Sequence, residues 1–311
     1  AKDHPAVVKG KAGSPYAIKD YYDICPDLAA APDKRMKEFE ALVRRTHKAG
    51  LKMMIDFVPN HVARSYHSDA KPARVKDLGE GDDMAKGFSP QNNFYYLPGQ
   101  MFSTENFEED RAANVPYREY PAKVTGNNCF SPRPGRNDWY ETVKLNYGVD
   151  FYAGGTPHFD PVPDTWDKMT AILLFWAKKG VDGFRMDTLN FYSKVDGFPS
   201  VEGVEGLVRA HRYYQNGPHI HEYLRELHND VLVHYDAMTV GETPNVTPGI
   251  AELYVADERQ EINMLFQFEH MSVDSGPKDK WDLIPWDFVK FKKIMTKWQT
   301  GLHGRGWNSL Y

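Results

Sequence analysis

Helices that stop at a glycine and lead straight into a short apolar strand restrict the fold of this sequence more than any other feature. One apolar stripe predicts a helix capped by Asp33 that runs to His47 and stops at Gly50. A second helix begins at Asp164 and stops at Gly180. The pattern predicts strands at 52–58, 181–187, 237–242, 264–269 and 307–311. Strands that alternate with helices predict an α/β fold with a parallel sheet and right-handed crossovers.

Two carboxylates stand at the ends of neighbouring strands. Arg185 and Asp187 close one strand, and Glu242 closes the next. Residues two apart in a strand share a face, so the guanidinium lies beside Asp187 and lowers its pKa. In an α/β barrel, the strand C-terminal ends form the catalytic face. Glycosidic bond cleavage with retention needs an ionised and a protonated carboxyl group about 5–6 Å apart. A strand-end ion pair and a solvated Glu are the plainer alternative.

The strand predicted at 52–58 also ends in polar residues. Asp56 lies near its end, and Asn60 and His61 follow on the exit loop, where a substrate hydroxyl could be bound. Taken alone, His61 is more typical of a loop histidine with its hydrogen bonds satisfied. Together with the other two strand ends, the set favours one catalytic edge.

Residues 62–160 lose the periodicity of the rest of the chain and carry Gly, Pro, Asn and charged clusters. A structureless loop of that length is improbable inside a compact domain, so we interpret it as a small inserted domain. The predicted organisation is therefore a barrel segment over 1–61, the inserted domain over 62–160 and a second barrel segment over 161–311.

Charge and hydropathy exclude other function classes. The 311 residues carry 38 basic and 43 acidic side chains, a net charge of −5, which leaves no basic surface for nucleic acid. No apolar run approaches the roughly 18 residues of a membrane span. We expect neither nucleic acid nor membrane as a partner. A cytoplasmic location is expected, or a periplasmic or secreted one if a leader was removed.

At this point the sequence resembles the α-amylase superfamily, glycoside hydrolase family 13. Its signatures are matched by Asp56, Val58, Asn60 and His61, by Gly183, Phe184, Arg185 and Asp187, and by Glu242. The resemblance implies a (β/α)8 TIM barrel, here partial and covering about strands three to seven. It also implies that the inserted domain follows strand three and walls the cleft.

The resemblance implies a role for each matched polar residue. These roles are Asp187 as nucleophile, Glu242 as acid/base, Arg185 and His61 as holders of the glucosyl unit, and Asp56 and Asn60 as structural support. The implied substrate is an α-gluco-oligosaccharide or starch. The chemistry requires no cofactor. Family members often hold Ca²⁺, but the sequence shows no ligand cluster that identifies a metal site.

From Gly180 onward the chain resembles the oligo-1,6-glucosidase and α-glucosidase branch, whereas the part before it is more similar to amylases. In that branch, Val after the nucleophile is associated with α-1,6 linkages and Thr or Ala with α-1,4. Thr188 therefore favours α-1,4 over α-1,6, unless it is only a good strand-end residue. Tyr16 matches a tyrosine that grips the terminal glucose, but Ala17 replaces the family's Asp beside it.

The family's fourth signature, a His-Asp pair that supplies a third carboxylate, has no match in this sequence. We therefore expect no counterpart for it, unless Glu269 or Asp20 takes its place, and the chain could lack activity. Two alternatives to a hydrolase remain open. One is a catalytically incomplete sugar-binding fragment. The other is a non-catalytic relative of the ectodomains that escort amino-acid transporters, although those lose the carboxylates that this chain keeps.

Overall fold

The structure is a computed structural model. It describes residues 3–8, 12–87, 89–105, 116–127, 131–134, 138–148, 164–194, 211–217, 219–277 and 282–306. The chain divides into two compact units. Unit 1 comprises residues 1–53, 58–181 and 191–218, and unit 2 comprises residues 54–57, 182–190 and 219–311.

The strands are β1 (Met54–Phe57), β2 (His61–Ala63), β3 (Tyr96–Leu97), β4 (Phe102–Ser103), β5 (Arg118–Glu119), β6 (Ala122–Lys123), β7 (Thr142–Lys144), β8 (Gly183–Met186), β9 (Met238–Glu242) and β10 (Met264–Phe266). The helices are α1 (Arg35–Lys48), α2 (Thr165–Lys178), α3 (His211–Tyr214), α4 (Ile220–Leu227), α5 (Val233–Tyr235), α6 (Pro248–Val255) and α7 (Phe288–Gly301). A π-helical turn, His228–Leu232, joins α4 to α5. None of the helices in the described part of the chain is long and apolar enough to span a membrane.

Unit 2 contains the predicted parallel sheet. Its four strands lie in the order β1, β8, β9, β10, so neighbours in space are also neighbours in sequence order within the sheet. All three pairings are parallel, with Asp56 opposite Arg185 and Arg185 opposite Val240. The four strands predicted between residues 52 and 269 are confirmed. The fifth, at 307–311, lies outside the described residues.

Unit 1 contains the first two predicted helices and most of the region interpreted as an insertion. Phe39 of α1 packs edge-on against Trp176 of α2, with ring centroids 5.2 Å apart. Between those helices the chain forms three antiparallel ladders, β2 with β7, β3 with β6 and β4 with β5. The described residues after His61 thus include short strands of their own. The domain boundaries stay a prediction.

A compact apolar cluster fills the ladders of unit 1, formed by Val7, Tyr95, Leu97, Phe102, Ala122, Val124 and Tyr140. The guanidinium of Arg64 lies 4.0 Å from the Phe102 ring centroid and donates to Glu119 at 2.8 Å. Burying these residues removes large aromatic surfaces from water, which is the main source of stability for such short strands.

The helix starts differ partly from the prediction. Asp33 as N-cap of α1 is wrong, because a 3₁₀ turn over Pro32–Lys34 precedes the helix, which begins at Arg35. Asp164 does precede α2, but its side chain accepts a hydrogen bond from Asn93 at 2.6 Å instead of capping the helix.

Candidate active site

The carboxyl ends of β8 and β9 bring Arg185 and Glu242 to one edge of the sheet, with Asp187 directly after β8. Glycines allow this close approach. A Cβ on Gly183 would lie 2.6 Å from the Met238 carbonyl oxygen, and one on Gly241 would lie 2.6 Å from Leu189 Cδ2. Glycine within a strand often marks such a point of close backbone contact.

One guanidinium joins the candidate catalytic carboxylates. Arg185 Nη1 lies 2.7 Å from Asp187 Oδ1, and Arg185 Nη2 lies 2.7 Å from Glu242 Oε2. Nη1 also lies 3.2 Å from Asp56 Oδ1 on the neighbouring strand. The predicted contact between Arg185 and Asp187 is therefore present, and the same side chain also brings Glu242 and Asp56 into the cluster.

Thr188 contacts both carboxylates. Its backbone N–H donates to Glu242 Oε2 at 3.2 Å, and its hydroxyl donates to Asp187 Oδ2 at 3.2 Å. The residue has a φ of 43°, in the left-handed region that β-branched residues rarely adopt. Strained backbone of this kind is concentrated at functional sites. The family resemblance associates Thr188 with the choice of linkage. Nothing in the sequence indicated these hydrogen bonds.

Burial and charge set the electrostatics of this cluster. The Asp187 side chain is 7% exposed, those of Arg185 and Glu242 are each 20% exposed, and that of Asp56 is 51% exposed. Burial alone would lower the pKa of Arg185, but the charges of Glu242, Asp187 and Asp56 outweigh it and raise that pKa. Arg185 therefore stays cationic, and Asp187 is the most enclosed of the three carboxylates that contact it.

The two residues named as alternatives for a third carboxylate each have partners of their own in the described residues. Glu269 pairs with Lys297 at 2.8 Å and accepts from Trp298 Nε1 at 3.0 Å. Asp20, in unit 1, accepts from the Ser68 hydroxyl at 2.6 Å and from the Tyr22 backbone N–H at 2.8 Å. In the described residues, both side chains serve local structure.

The predicted residues Asn60 and His61 lie in unit 1, where both are buried. Asn60 Nδ2 lies 3.1 Å from His61 Nδ1 and donates to the Gly126 carbonyl at 3.3 Å. The Asn60 oxygen accepts from the ammonium group of Lys144. Asn60 thus contacts His61 directly, and its role as structural support stays a prediction.

Lys144 and Trp139 are neighbours of His61 that motif reasoning missed. Trp139 packs edge-on against the His61 ring, with centroids 4.5 Å apart. Only the alternation of apolar and polar residues around Lys144 could have indicated its strand. Nothing in that pattern reveals that the lysine is buried.

Tyr16 also belongs to unit 1. It is partly buried, and its backbone N–H donates to the Ser14 hydroxyl at 3.1 Å. Its predicted contact with substrate stays a prediction.

A groove lies elsewhere in unit 2. It has about 460 Å³ and runs beside α7, lined by Glu269, Ser272, Asp287, Val289, Lys290, Lys293, Ile294 and Lys297. Neither Asp187 nor Glu242 lines this groove. Within the described residues, no three His, Cys, Asp or Glu side chains are grouped so as to hold a metal ion.

Comparison with known proteins gives a family match over nearly the whole chain. The profile of the α-amylase catalytic domain matches residues 5–311. An oligo-1,6-glucosidase of Parageobacillus thermoglucosidasius is 36% identical over 309 residues, covering 95% of this chain and 47% of that protein. A trehalose-6-phosphate hydrolase of Bacillus subtilis (strain 168) is 32% identical, and the match covers 95% of this chain and 46% of that protein. The chain spans about half the length of the curated relatives it matches.

Solved structures agree with this match. The crystal structure of Bacillus licheniformis trehalose-6-phosphate hydrolase has a TM-score of 0.66 at 26% identity, covering 97% of this chain and 48% of that chain. Isomaltulose synthase from Klebsiella sp. LX3 has a TM-score of 0.65 at 24% identity, and the match covers 99% of this chain and 48% of that chain. At that identity the second likeness concerns the fold alone.

Proposed function

The chain belongs to the α-amylase catalytic-domain family, and on that premise we propose that it hydrolyses α-glucosidic bonds with retention of anomeric configuration. Asp187 is the proposed nucleophile and Glu242 the proposed acid/base. The substrate class is α-linked gluco-oligosaccharides or starch.

The contact of one guanidinium with two carboxylates carries this proposal. Arg185 donates to Asp187 and to Glu242 at 2.7 Å each, which places both carboxyl groups on the same side of adjacent strand ends. Because the guanidinium contacts both carboxyl groups at the same distance, the assignment of Asp187 as nucleophile and Glu242 as acid/base follows the family's signatures and not this contact. A separation of about 5–6 Å between the two carboxyl groups is the further geometric expectation of a retaining mechanism.

The reaction follows from these positions. Asp187 attacks the anomeric carbon while Glu242 gives a proton to the oxygen of the leaving sugar. Water then attacks the glucosyl-enzyme, with Glu242 now acting as base. Arg185 and Thr188 both donate to Oε2 of Glu242, so we assign the transferred proton to its other oxygen, Oε1.

The linkage is the finer part of the proposal. Thr188 favours α-1,4 by resemblance, whereas several relatives carry the name oligo-1,6-glucosidase. The Thr188 hydroxyl donates to Asp187 and its backbone N–H donates to Glu242, and this contact with both proposed catalytic groups supports a part for Thr188 in linkage choice. Maltose and isomaltose supplied separately distinguish the two.

The test uses the purified 311-residue chain. Hydrolysis of 4-nitrophenyl α-glucoside is compared with hydrolysis of starch, and ¹H NMR identifies the anomer released first. We expect an α-anomer, with release abolished in Asp187→Asn. A β-anomer, or turnover that survives in that variant, contradicts the mechanism. Binding of maltose by a folded chain without any turnover is the result that the sugar-binding alternative predicts.

A further inference from the structure

Lys144 is a buried cation that faces the histidine of the first signature across a strand ladder. It is 1% exposed and lies on β7, directly opposite His61 on β2. A buried ammonium group must be stabilised by hydrogen bonds or by neighbouring charge. Its ammonium donates to Asn60 Oδ1 and lies 5.6 Å from the Phe191 ring centroid.

The donor and acceptor roles in the hydrogen bonds that link Lys144, Asn60 and His61 follow from Lys144. A lysine ammonium can only donate, so the Asn60 oxygen must face it and the Asn60 NH₂ group must lie on the other side. The Gly126 carbonyl, 3.3 Å from Asn60 Nδ2, requires the same orientation because a carbonyl can only accept. Two independent partners therefore fix the Asn60 amide.

The Asn60 NH₂ group then faces a ring nitrogen of His61. Asn60 Nδ2 lies 3.1 Å from His61 Nδ1, and a hydrogen bond at this contact requires Nδ1 to accept. A neutral imidazole with an accepting Nδ1 carries its proton on Nε2. The geometry thus selects one of the two histidine tautomers.

We propose that Lys144, acting through Asn60, is a positioning residue that holds His61 as its Nε2–H tautomer, ready to donate a hydrogen bond. The tautomer follows from contacts within unit 1. Its use toward a sugar hydroxyl rests on the proposed function, in which His61 holds the glucosyl unit.

Packing prevents the ring from escaping this arrangement. Trp139 lies edge-on against His61, and Gly126 approaches so closely that a Cβ there would lie 3.0 Å from His61 Cβ. The backbone is held as well, because the Tyr21 hydroxyl, which donates to the Val58 carbonyl, also lies 3.2 Å from the His61 carbonyl. A ring held on several sides keeps the same nitrogen toward Asn60.

The first test is the ¹⁵N NMR spectrum of the imidazole nitrogens in the full chain at neutral pH. The His61 signals are assigned by their loss in His61→Gln. We expect Nε2 to be protonated and Nδ1 unprotonated. A protonated Nδ1 in the native chain overturns the proposal, whether or not the protein turns over any substrate.

Two variants test the direction of the effect. Asn60→Asp replaces the NH₂ group by an oxygen, which can still accept from Lys144 but needs His61 to donate from Nδ1. The tautomer should therefore reverse. Lys144→Met removes the ammonium while keeping an unbranched stem, so only the 3.3 Å contact with the Gly126 carbonyl still orients the Asn60 amide, and a fraction of the molecules should adopt the other tautomer. Unchanged His61 signals in a folded Asn60→Asp chain contradict the proposal.

Kinetics separate the tautomer from the proposed function. If the chain hydrolyses 4-nitrophenyl α-glucoside, Asn60→Asp should raise KM at least several-fold and lower kcat less. Lys144→Arg, which keeps a donor-only cation, should retain the native tautomer and more of the native KM than Lys144→Met. Failure of turnover with the expected spectra refutes the function and leaves the positioning role intact. Reversed spectra without any change in KM refute the use of His61 toward substrate.

Discussion

The strand ends that carry Arg185 and the β2–β7 ladder that carries His61 fix their polar side chains in opposite ways. At the strand ends, one guanidinium contacts three carboxylates and is itself 20% exposed. In the ladder, Lys144, Asn60 and His61 are all buried and are linked by directional hydrogen bonds between tightly packed neighbours. The first region depends on charge and the second on shape and on the direction of each hydrogen bond.

This difference predicts which changes each region tolerates. Removal of a charge at the strand ends should lower activity or stability. In the ladder, addition of a single methyl group should lower stability.

The largest effect is expected from Asp187→Asn. Loss of the nucleophile should lower kcat by on the order of 10³-fold or more, because catalytic groups act as a unit. The matched control is Asp56→Asn, which removes a carboxylate that contacts the same Arg185 but is 51% exposed. Its effect on kcat with 4-nitrophenyl α-glucoside should be far smaller. Equal losses in the two variants would show that the cluster acts only through its total charge.

The fold class and the strand ends could be predicted from the sequence because both leave local signals. Apolar runs bounded by Gly50 and Gly180 marked strands, and the family's (β/α)8 architecture agrees with the parallel sheet observed. Arg185 and Asp187 were identifiable because residues two apart share a strand face. The contact of Arg185 with Glu242 depends on β8 and β9 being neighbours in the sheet, and the observed strand order shows that they are.

The ladder could not be predicted in the same detail. Lys144 follows Asn60 by 84 positions, and no local pattern shows that a lysine will be buried against an amide. The same holds for Gly126, whose need to be glycine comes from Thr142 and His61 alongside it. Contacts between distant segments with no periodic signature were therefore found only in the folded chain.

Replacing Arg185 by Met should lower the free energy of unfolding by about 2–4 kcal/mol, because enclosed carboxylates lose their shared cation. Arg185→Lys should fall between Met and the native chain, since an ammonium cannot bridge two carboxylates as a planar guanidinium does. Chemical denaturation at neutral pH measures both. If Arg185→Met matches the native stability, the strand ends do not depend on charge as proposed.

The ladder should respond to a single methyl group. Gly126→Ala places a Cβ 2.2 Å from Thr142 Oγ1, and overpacking of this kind costs about 1–3 kcal/mol. Gly249→Ala is the control, because that glycine lies in α6 with nothing within 4 Å of an added Cβ. Thermal unfolding should show a lower Tm for Gly126→Ala and an equal or higher Tm for Gly249→Ala. The same loss in both would point to a backbone effect.

The smallest effect concerns Glu269, a carboxylate of unit 2 outside the Arg185 cluster. Burial works to raise its pKa, but hydrogen bonds from Lys297 and Trp298 outweigh it, and the pKa lies below its ordinary value of 4.5. Its stabilisation is therefore present above about pH 4.5 and is lost as the pH falls through the folded-state pKa.

Glu269→Gln should accordingly destabilise the chain at neutral pH by on the order of 0.5 kcal/mol, since the pair is partly exposed. The difference from the native chain should vanish in acid, and turnover should be unchanged. Urea titrations at several pH values measure this. A strong loss of kcat in Glu269→Gln would instead identify Glu269 as the third carboxylate of the site.

The proposed covalent bond between Asp187 and the sugar can be tested by trapping the glycosyl-enzyme. The native chain is incubated with a fluorinated α-glucosyl fluoride, whose ring fluorine slows the second step and lets the glycosyl-enzyme accumulate. Intact-mass spectrometry should show the addition of one fluoroglucosyl group, and peptide mapping should locate it on Asp187. An adduct on another residue, or one that still forms in Asp187→Asn, would contradict the account, as would the absence of any adduct in a chain that hydrolyses the substrate.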